Sequence, residues 1–151
     1  MGLTYRYRRY PSSRPVVPLG GQLYRPQPVV LVGVSGPLGV MPVRALIDTG
    51  ADDTVFSDAV ATTIGLNLSA APSGTAQGIG GGSVVVRYAE VTLQLAQGPT
   101  RHEWLAWVGF VSIPMRRGLL GFAGFLQYFT ATFFGEREEV ELTPNALLPT
   151  P

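Results

Sequence analysis

Between Val84 and Leu95 apolar residues fall on alternate positions: Ala89, Val91, Leu93 and Leu95 share one face, and Glu90, Thr92 and Gln94 share the other. A period of two suits a pleated strand with one buried side and does not suit a helix, whose faces recur every ~3.6 residues. Such a strand must be paired and its apolar face covered, which commits the chain to a sheet over a core. Other segments agree. Val29 to Val34 and Val40 to Ile47 are β-branched runs divided by Ser35, Gly36, Pro37 and Gly39, which is a hairpin pattern. Trp104 to Val111 is a further apolar strand, stopped by Pro114 and the basic pair Arg116 and Arg117, and Phe129 to Phe134 with Glu138 to Leu142 reads as a closing hairpin across Gly135. With 19 glycines and 13 prolines in 151 residues, turns are easily made and long helices are not. Ser57 as N-cap and Gly65 as C-terminal stop frame one short helix ending at Ile64, and Leu119 to Tyr128 reads as a buried strand end running into a second. The expectation is a single-domain, all-β, mainly antiparallel fold with one or two short helices.

Residues 1–20 are expected to form a flexible Arg/Tyr/Pro-rich tail, because Pro11, Pro15 and Pro18 interrupt regular structure; residues 21–144 hold the folded domain and 145–151 a C-terminal tail. Arg6, Arg8, Arg9, Arg14 and Arg25 all precede the first acid, Asp48. Arginine interleaved with tyrosine suits a polyanion, but a net charge of +1 supplies no global field, and nucleic acid is not the expected partner. The absence of cysteine removes thiol nucleophiles and thiolate metal sites, and the single histidine, His102, leaves little for a catalytic triad or a histidine metal site. No cofactor or metal is expected. Asp52 and Asp53 are adjacent carboxylates that ordinarily meet solvent or arginine. No apolar run reaches membrane-spanning length and none opens the chain as a leader, so a soluble, cytoplasmic protein is expected, without membrane partners.

The chemistry is concentrated in Ala45-Leu46-Ile47-Asp48-Thr49-Gly50-Ala51-Asp52-Asp53-Thr54-Val55-Phe56, an apolar strand that delivers a carboxylate into a glycine-containing turn. Taken alone, Asp-Thr-Gly is an ordinary polar turn. A second segment, Gln77-Gly78-Ile79-Gly80-Gly81-Gly82-Ser83, lies between strands and lacks the Lys-Ser/Thr of a phosphate loop. A third, Gly118-Leu119-Leu120-Gly121, is apolar and closely followed by Phe122 and Phe125.

In this order the three segments resemble the retropepsin-like aspartic proteases, in which Leu-(Leu/Ile)-Asp-Thr-Gly-Ala-Asp-Asp-Thr-Val is a near-verbatim active-site signature. The glycine-rich segment resembles the flap tip, and the Leu119-Leu120-Gly121 segment resembles the motif packed behind the catalytic loop. The closing hairpin is more like that of the bacterial and cellular branch. The resemblance spans about Arg25 to Thr143. It implies an aspartic endopeptidase acting on extended polypeptides, with Asp48, Thr49 and Gly50 as catalytic motif. It also implies substrate contacts from Ala51, Asp52, Asp53 and Val55, from Gly78, Ile79 and Gly80 in the flap, and from Leu119. Two carboxyls are needed and the motif occurs once, so the resemblance implies a C2 homodimer pairing Asp48 with its symmetry mate. Thr49, Arg25 and Asp52 would lie at that interface, Arg25 resembling the arginine of a family Arg-Pro pair that meets the second acid of the loop. Phe122 stands where the family places another arginine partner for that acid. A different class of function, a catalytically silent dimer that binds peptides, would use the same fold.

Overall fold

The protein is described by a computed structural model covering residues 2–78 and 80–150. Strands β1 (Leu3–Arg6), β2 (Arg8–Val16), β3 (Gln22–Gln27), β4 (Val29–Gly36), β5 (Gly39–Ile47) and β6 (Val55–Ser57) precede the helix α1 (Asp58–Ile64). After it come β7 (Ser73–Gln77), β8 (Ser83–Gln97), β9 (Thr100–Val111), β10 (Gly118–Leu120), β11 (Phe129–Phe134) and β12 (Glu139–Pro144).

Seven strands form one sheet in the order β4-β5-β10-β6-β9-β8-β7. The sheet closes on itself because Gly33, Val34 and Ser35 of β4 also pair with Gln94, Leu93 and Thr92 of β8. Closure hides strand edges that would otherwise seek partners. It demands a close approach at Gly33, where a Cβ would stand 2.6 Å from Gln94 Cγ. The alternation in β8 does what its period requires: Val91, Leu93 and Leu95 are buried, and Trp104, Ala106 and Val108 of the antiparallel β9 join them. Trp104 anchors an aromatic group with Phe125 and Phe129, at centroid separations of 6.0 and 5.0 Å, and its indole N–H donates to the Gly124 carbonyl at 2.9 Å. A buried indole left without an acceptor would be costly.

The helix has the expected ends. The Ser57 hydroxyl accepts the Ala59 N–H, Gly65 takes φ +84° and its N–H returns to Ala61 and Thr62, and Val60, Ala61 and Ile64 face the core. Among the described residues no second α-helix follows β10, where one was expected. After β10 the chain makes successive turns, with Leu126 N–H on Gly121 O, Gln127 N–H on Phe122 O and Tyr128 N–H on Phe125 O, and Gly124 at φ +89° interrupts any right-handed run.

The expected tails are corrected as well. β1 pairs antiparallel with β12 in a three-stranded sheet with β11, and Leu3 is fully buried beside Val140 and Leu142. β2 and β3 form a two-stranded ribbon whose register shifts between Pro11 and Val16. Prolines are tolerated there because the ribbon has outer edges that need no N–H donor. Tyr7 N–H bonds Glu138 O at 2.7 Å and Arg9 pairs with Glu138 at 2.6 Å, fastening the ribbon to the β11–β12 turn. At the other end Asn145 N–H bonds Tyr128 O, and Leu148 packs on the core. No described helix is long and apolar enough to cross a membrane.

Candidate active site

The loop from Asp48 to Thr54 is held by a second chain segment. β10 runs parallel to β5, with Gly118, Leu119 and Leu120 beside Ala45, Leu46 and Ile47, and Leu119 faces Val55 of β6 on its other side. The short strand is thus wedged between the two strands flanking the loop. From it Leu120 O accepts the Asp48 N–H at 3.0 Å, Phe122 N–H reaches Ala51 O at 2.9 Å, Ala123 N–H reaches Asp52 O at 2.8 Å, and Thr54 N–H returns to Ala123 O at 3.0 Å. Gly121 lies directly beneath: a Cβ there would come within 2.6 Å of Ala51 O and 2.7 Å of the Asp53 carbonyl carbon. No side chain fits that position.

Within the loop the Asp48 carboxylate accepts the Gly50 N–H at 2.9 Å and the Asp48 carbonyl accepts the Ala51 N–H at 3.1 Å. Asp48 is half-buried, while Thr49, Gly50 and Asp52 are exposed. Asp53 and Ala51 are half-buried, and Val55 is buried against Val86 and Val111. The Phe122 side chain, 61% exposed, lies on the segment bonded to Ala51. So the loop presents the Asp48 carboxylate at a surface, with the uncovered Phe122 ring on the segment that clamps it.

β7 and β8 form the glycine-tipped hairpin, in register from Ser73 with Arg87 to Gln77 with Ser83. Its tip is closed by Gly78 N–H to Gly82 O and Gly81 N–H to Gly78 O, both 3.2 Å, and Gly80 and Gly81 take φ of +97° and +81°. Ile79, expected in the flap, lies outside the described residues. The hairpin's base is tied to the loop through Tyr88, whose hydroxyl donates to Asp53 Oδ2 at 2.9 Å. Burial, then this bond and the Asp53 charge, push the Tyr88 phenol above its ordinary value. The sequence reading missed Tyr88, which shares its face of β8 with Val84 and Val86 on one side and Glu90, Thr92 and Gln94 on the other. It also missed Thr54, fully buried, its hydroxyl without a hydrogen-bond partner among the described residues.

Arg25 sits in β3, exposed, opposite Tyr10 and not ion-paired with Asp52 of its own chain. Among the described residues no group of three His, Cys, Asp or Glu side chains could hold a metal.

The comparisons agree with this geometry. A family model for aspartyl protease matches residues 32–123, which include the whole loop and the β7–β8 hairpin. The fold is that of a retropepsin-like aspartic protease from Rickettsia conorii: TM-score 0.56 at 10% identity, covering 94% of this chain and 90% of that one. A weaker likeness, TM-score 0.40 at 19% identity over 63% of this chain and 81% of that one, is to EIAV protease complexed with the inhibitor HBY-793. No curated protein matches the sequence. Matched over more than half its length and folded in the retropepsin-like manner, the chain belongs to the aspartyl protease family.

Proposed function

We propose that this protein is an aspartic endopeptidase active as a C2 homodimer, in which Asp48 of each subunit supplies half of a catalytic dyad. The observation that carries the reading is the loop itself: the Asp48 carboxylate, on a main chain fixed by Leu120, Phe122 and Ala123, held at a surface whose neighbours Thr49, Gly50 and Phe122 are uncovered. A second copy placed on that surface supplies the second carboxylate.

Two carboxyls within hydrogen-bond reach hold one proton between them, because two bare negative charges there repel strongly. The ionised one takes a proton from a water whose oxygen attacks the scissile carbonyl carbon; the protonated one gives its proton to the carbonyl oxygen. Collapse of the tetrahedral diol returns a proton to the amide nitrogen as the C–N bond breaks, releasing an amine and a carboxylic acid. Thr49 bonds across the dimer beneath the dyad, and Gly50 offers its carbonyl to an extended substrate. Gly78, Ile79 and Gly80 close over the substrate as main-chain partners, while Val55 and Leu119, with Ala51, Asp52 and Asp53, line its side-chain sites. Arg25 meets Asp52 of the partner subunit.

The test is Asp48→Asn. Endopeptidase activity on a peptide library should fall by at least about a thousandfold, the scale of acid–base catalysis, while melting temperature and sedimentation stay as in the wild type. Wild-type activity per molecule should fall on dilution as the dimer dissociates. A variant that still cleaves, or a strictly monomeric species with full activity, rules the reading out.

A further inference from the structure

Four arginines with no acid among them line one cleft of about 400 Å³, together with Tyr10 and Gln27: Arg25, Arg44, Arg116 and Arg117. None of the ion pairs found among the described residues, Arg9–Glu138, Arg101–Glu103 and Arg137–Glu139, uses any of these four. Arg117 is positioned rather than loose, since its guanidinium lies 4.3 Å from the Tyr10 ring centroid and bonds Gln27 Oε1. The Tyr10 hydroxyl is buried and has no partner among the described residues. Like charges gathered in a concave site repel one another, and the arrangement is relieved by an anion; a planar guanidinium matches a carboxylate with two parallel bonds.

The cleft's place in the fold says which anion. Ala45 and Ile47 of β5 are buried, so Arg44, Leu46 and Asp48 alternate with them on the opposite face, and on neighbouring β10 the buried Gly118 and Leu120 leave Leu119 on that same face, with Arg117 immediately before the strand. Four residues of extended chain separate Arg44 from Asp48, roughly 13 Å at the strand rise. The β2–β3 ribbon forms the other wall, through Tyr10, Arg25 and Gln27. The basic site is therefore continuous with the sheet face that carries the Asp48 carboxylate and the Leu119 site, at a distance an extended peptide covers in three to four residues. It is one local cleft rather than a stripe, and the chain's net charge is only +1, which favours single side chains over a nucleic-acid backbone.

We infer that this cleft takes acidic side chains, Glu or Asp, of the polypeptide substrate three to four residues from the scissile bond. The inference rests on the protease reading and deepens it, by naming a substrate class. With Arg25 assigned to Asp52 of the partner subunit, Arg44, Arg116 and Arg117 remain to hold the substrate carboxylate.

The experiment uses the full chain with Arg44→Glu and Arg116→Glu, singly and together; both side chains are exposed and neither belongs to the proposed dyad or interface. Peptides carry Glu, Gln or Lys at successive positions on either side of one cleavable bond. For the wild type, Glu at the third or fourth position should raise kcat/KM by about tenfold over Gln, the scale of a partly solvated charge-assisted pair. The double variant should lose that preference or turn it toward Lys, with its dimer intact by sedimentation. A preference that survives charge reversal overturns the inference, as does one lost only because sedimentation shows the variant dimer dissociated. Failure of the protease reading is told apart by binding: fluorescence anisotropy of a labelled Glu peptide on Asp48→Asn protein needs no cleavage. Binding weakened by the two reversals sustains the cleft whether or not the wild type cuts. Tighter competition by inorganic phosphate or an oligonucleotide than by the Glu peptide assigns the arginines to another ligand and overturns it.

Discussion

The loop after Asp48 and the tip of the β7–β8 hairpin are both turns rich in small residues, yet among the described residues only the first is held by a second chain segment. Four main-chain hydrogen bonds from Leu120, Phe122 and Ala123 fix the Asp48 loop, with Gly121 filling the space below. Among the described residues the tip has two hydrogen bonds, both internal, and a Cβ added at Gly78, Gly80, Gly81 or Gly82 would meet nothing within 4 Å. Glycine serves opposite ends in the two places. At Gly121 it is needed because backbone passes too close for any side chain; at Gly80 and Gly81 it is needed because the chain turns through positive φ. The first arrangement keeps a carboxylate in one position, as preorganised catalysis requires. The second sets few described contacts on the hairpin tip.

The largest expected effect is at the clamp. In Gly121→Ala the new methyl must displace the Ala51 or Asp53 carbonyl, and stability should fall by about 3 kcal/mol, at the upper end for overpacking because backbone rather than side chain has to move. A urea titration measures it, and a midpoint equal to the wild type would show that the loop is not clamped as described. At the tip the same substitution should cost far less. Gly81→Ala, at φ +81°, should lose about 1 kcal/mol to left-handed strain, and Gly82→Ala, where φ is not positive, less than about 0.5 kcal/mol. If Gly82→Ala destabilised as much as Gly121→Ala, the contrast between the two regions would fail.

Much of this contrast was legible in the sequence, and what was not has a physical cause. Period-two alternation, β-branched runs and helix caps each act over a few residues, so β4, β5, β8, β9, the closing hairpin and α1 could be read directly. The carboxylate loop was legible through a ten-residue resemblance, not through its chemistry, since Asp-Thr-Gly alone is a common turn. The long-range arrangements were not legible. That β10 wedges between β5 and β6 depends on register over some seventy residues, and the pairing of Tyr88 with Asp53 links residues far apart in sequence. The N-terminal segment was misread because its prolines argued against regular structure, while the alternation of Leu3, Tyr5 and Tyr7 with Thr4 and Arg6 already fitted a strand. Similarly, Gly124 carried the sign that the turns after β10 would not become a helix, but only its left-handed φ makes that sign specific.

A further small effect is expected where the two regions meet. Tyr88 stands at the base of the hairpin, its N–H on Pro72 O at 2.9 Å, its ring against Gly74, where a Cβ would come 3.1 Å from Tyr88 Cε2, and its hydroxyl on Asp53 of the clamped loop. Tyr88→Phe keeps the ring and removes only the bond. The hydroxyl is partly solvated, so the loss at pH 7 should be under about 1 kcal/mol. Its pH dependence identifies it. Burial, then the Asp53 bond and the Asp53 charge, raise the phenol above its ordinary value near 10, so the folded state favours the protonated, donating form. A group raised on folding contributes its stability in full below the unfolded value and loses it as pH climbs through the folded one. Tyr5 and Tyr7 are also raised by burial, so both proteins should weaken in alkali, and only the difference between them isolates Tyr88. Wild type minus Tyr88→Phe stability, from urea titrations at successive pH, should be flat and positive to about pH 10 and shrink above it. A difference constant to pH 11 would mean that the Tyr88 hydroxyl does not couple the hairpin to the loop, and the two regions would then be joined by the backbone ladder of β8 and the packing of Val86 on Val55.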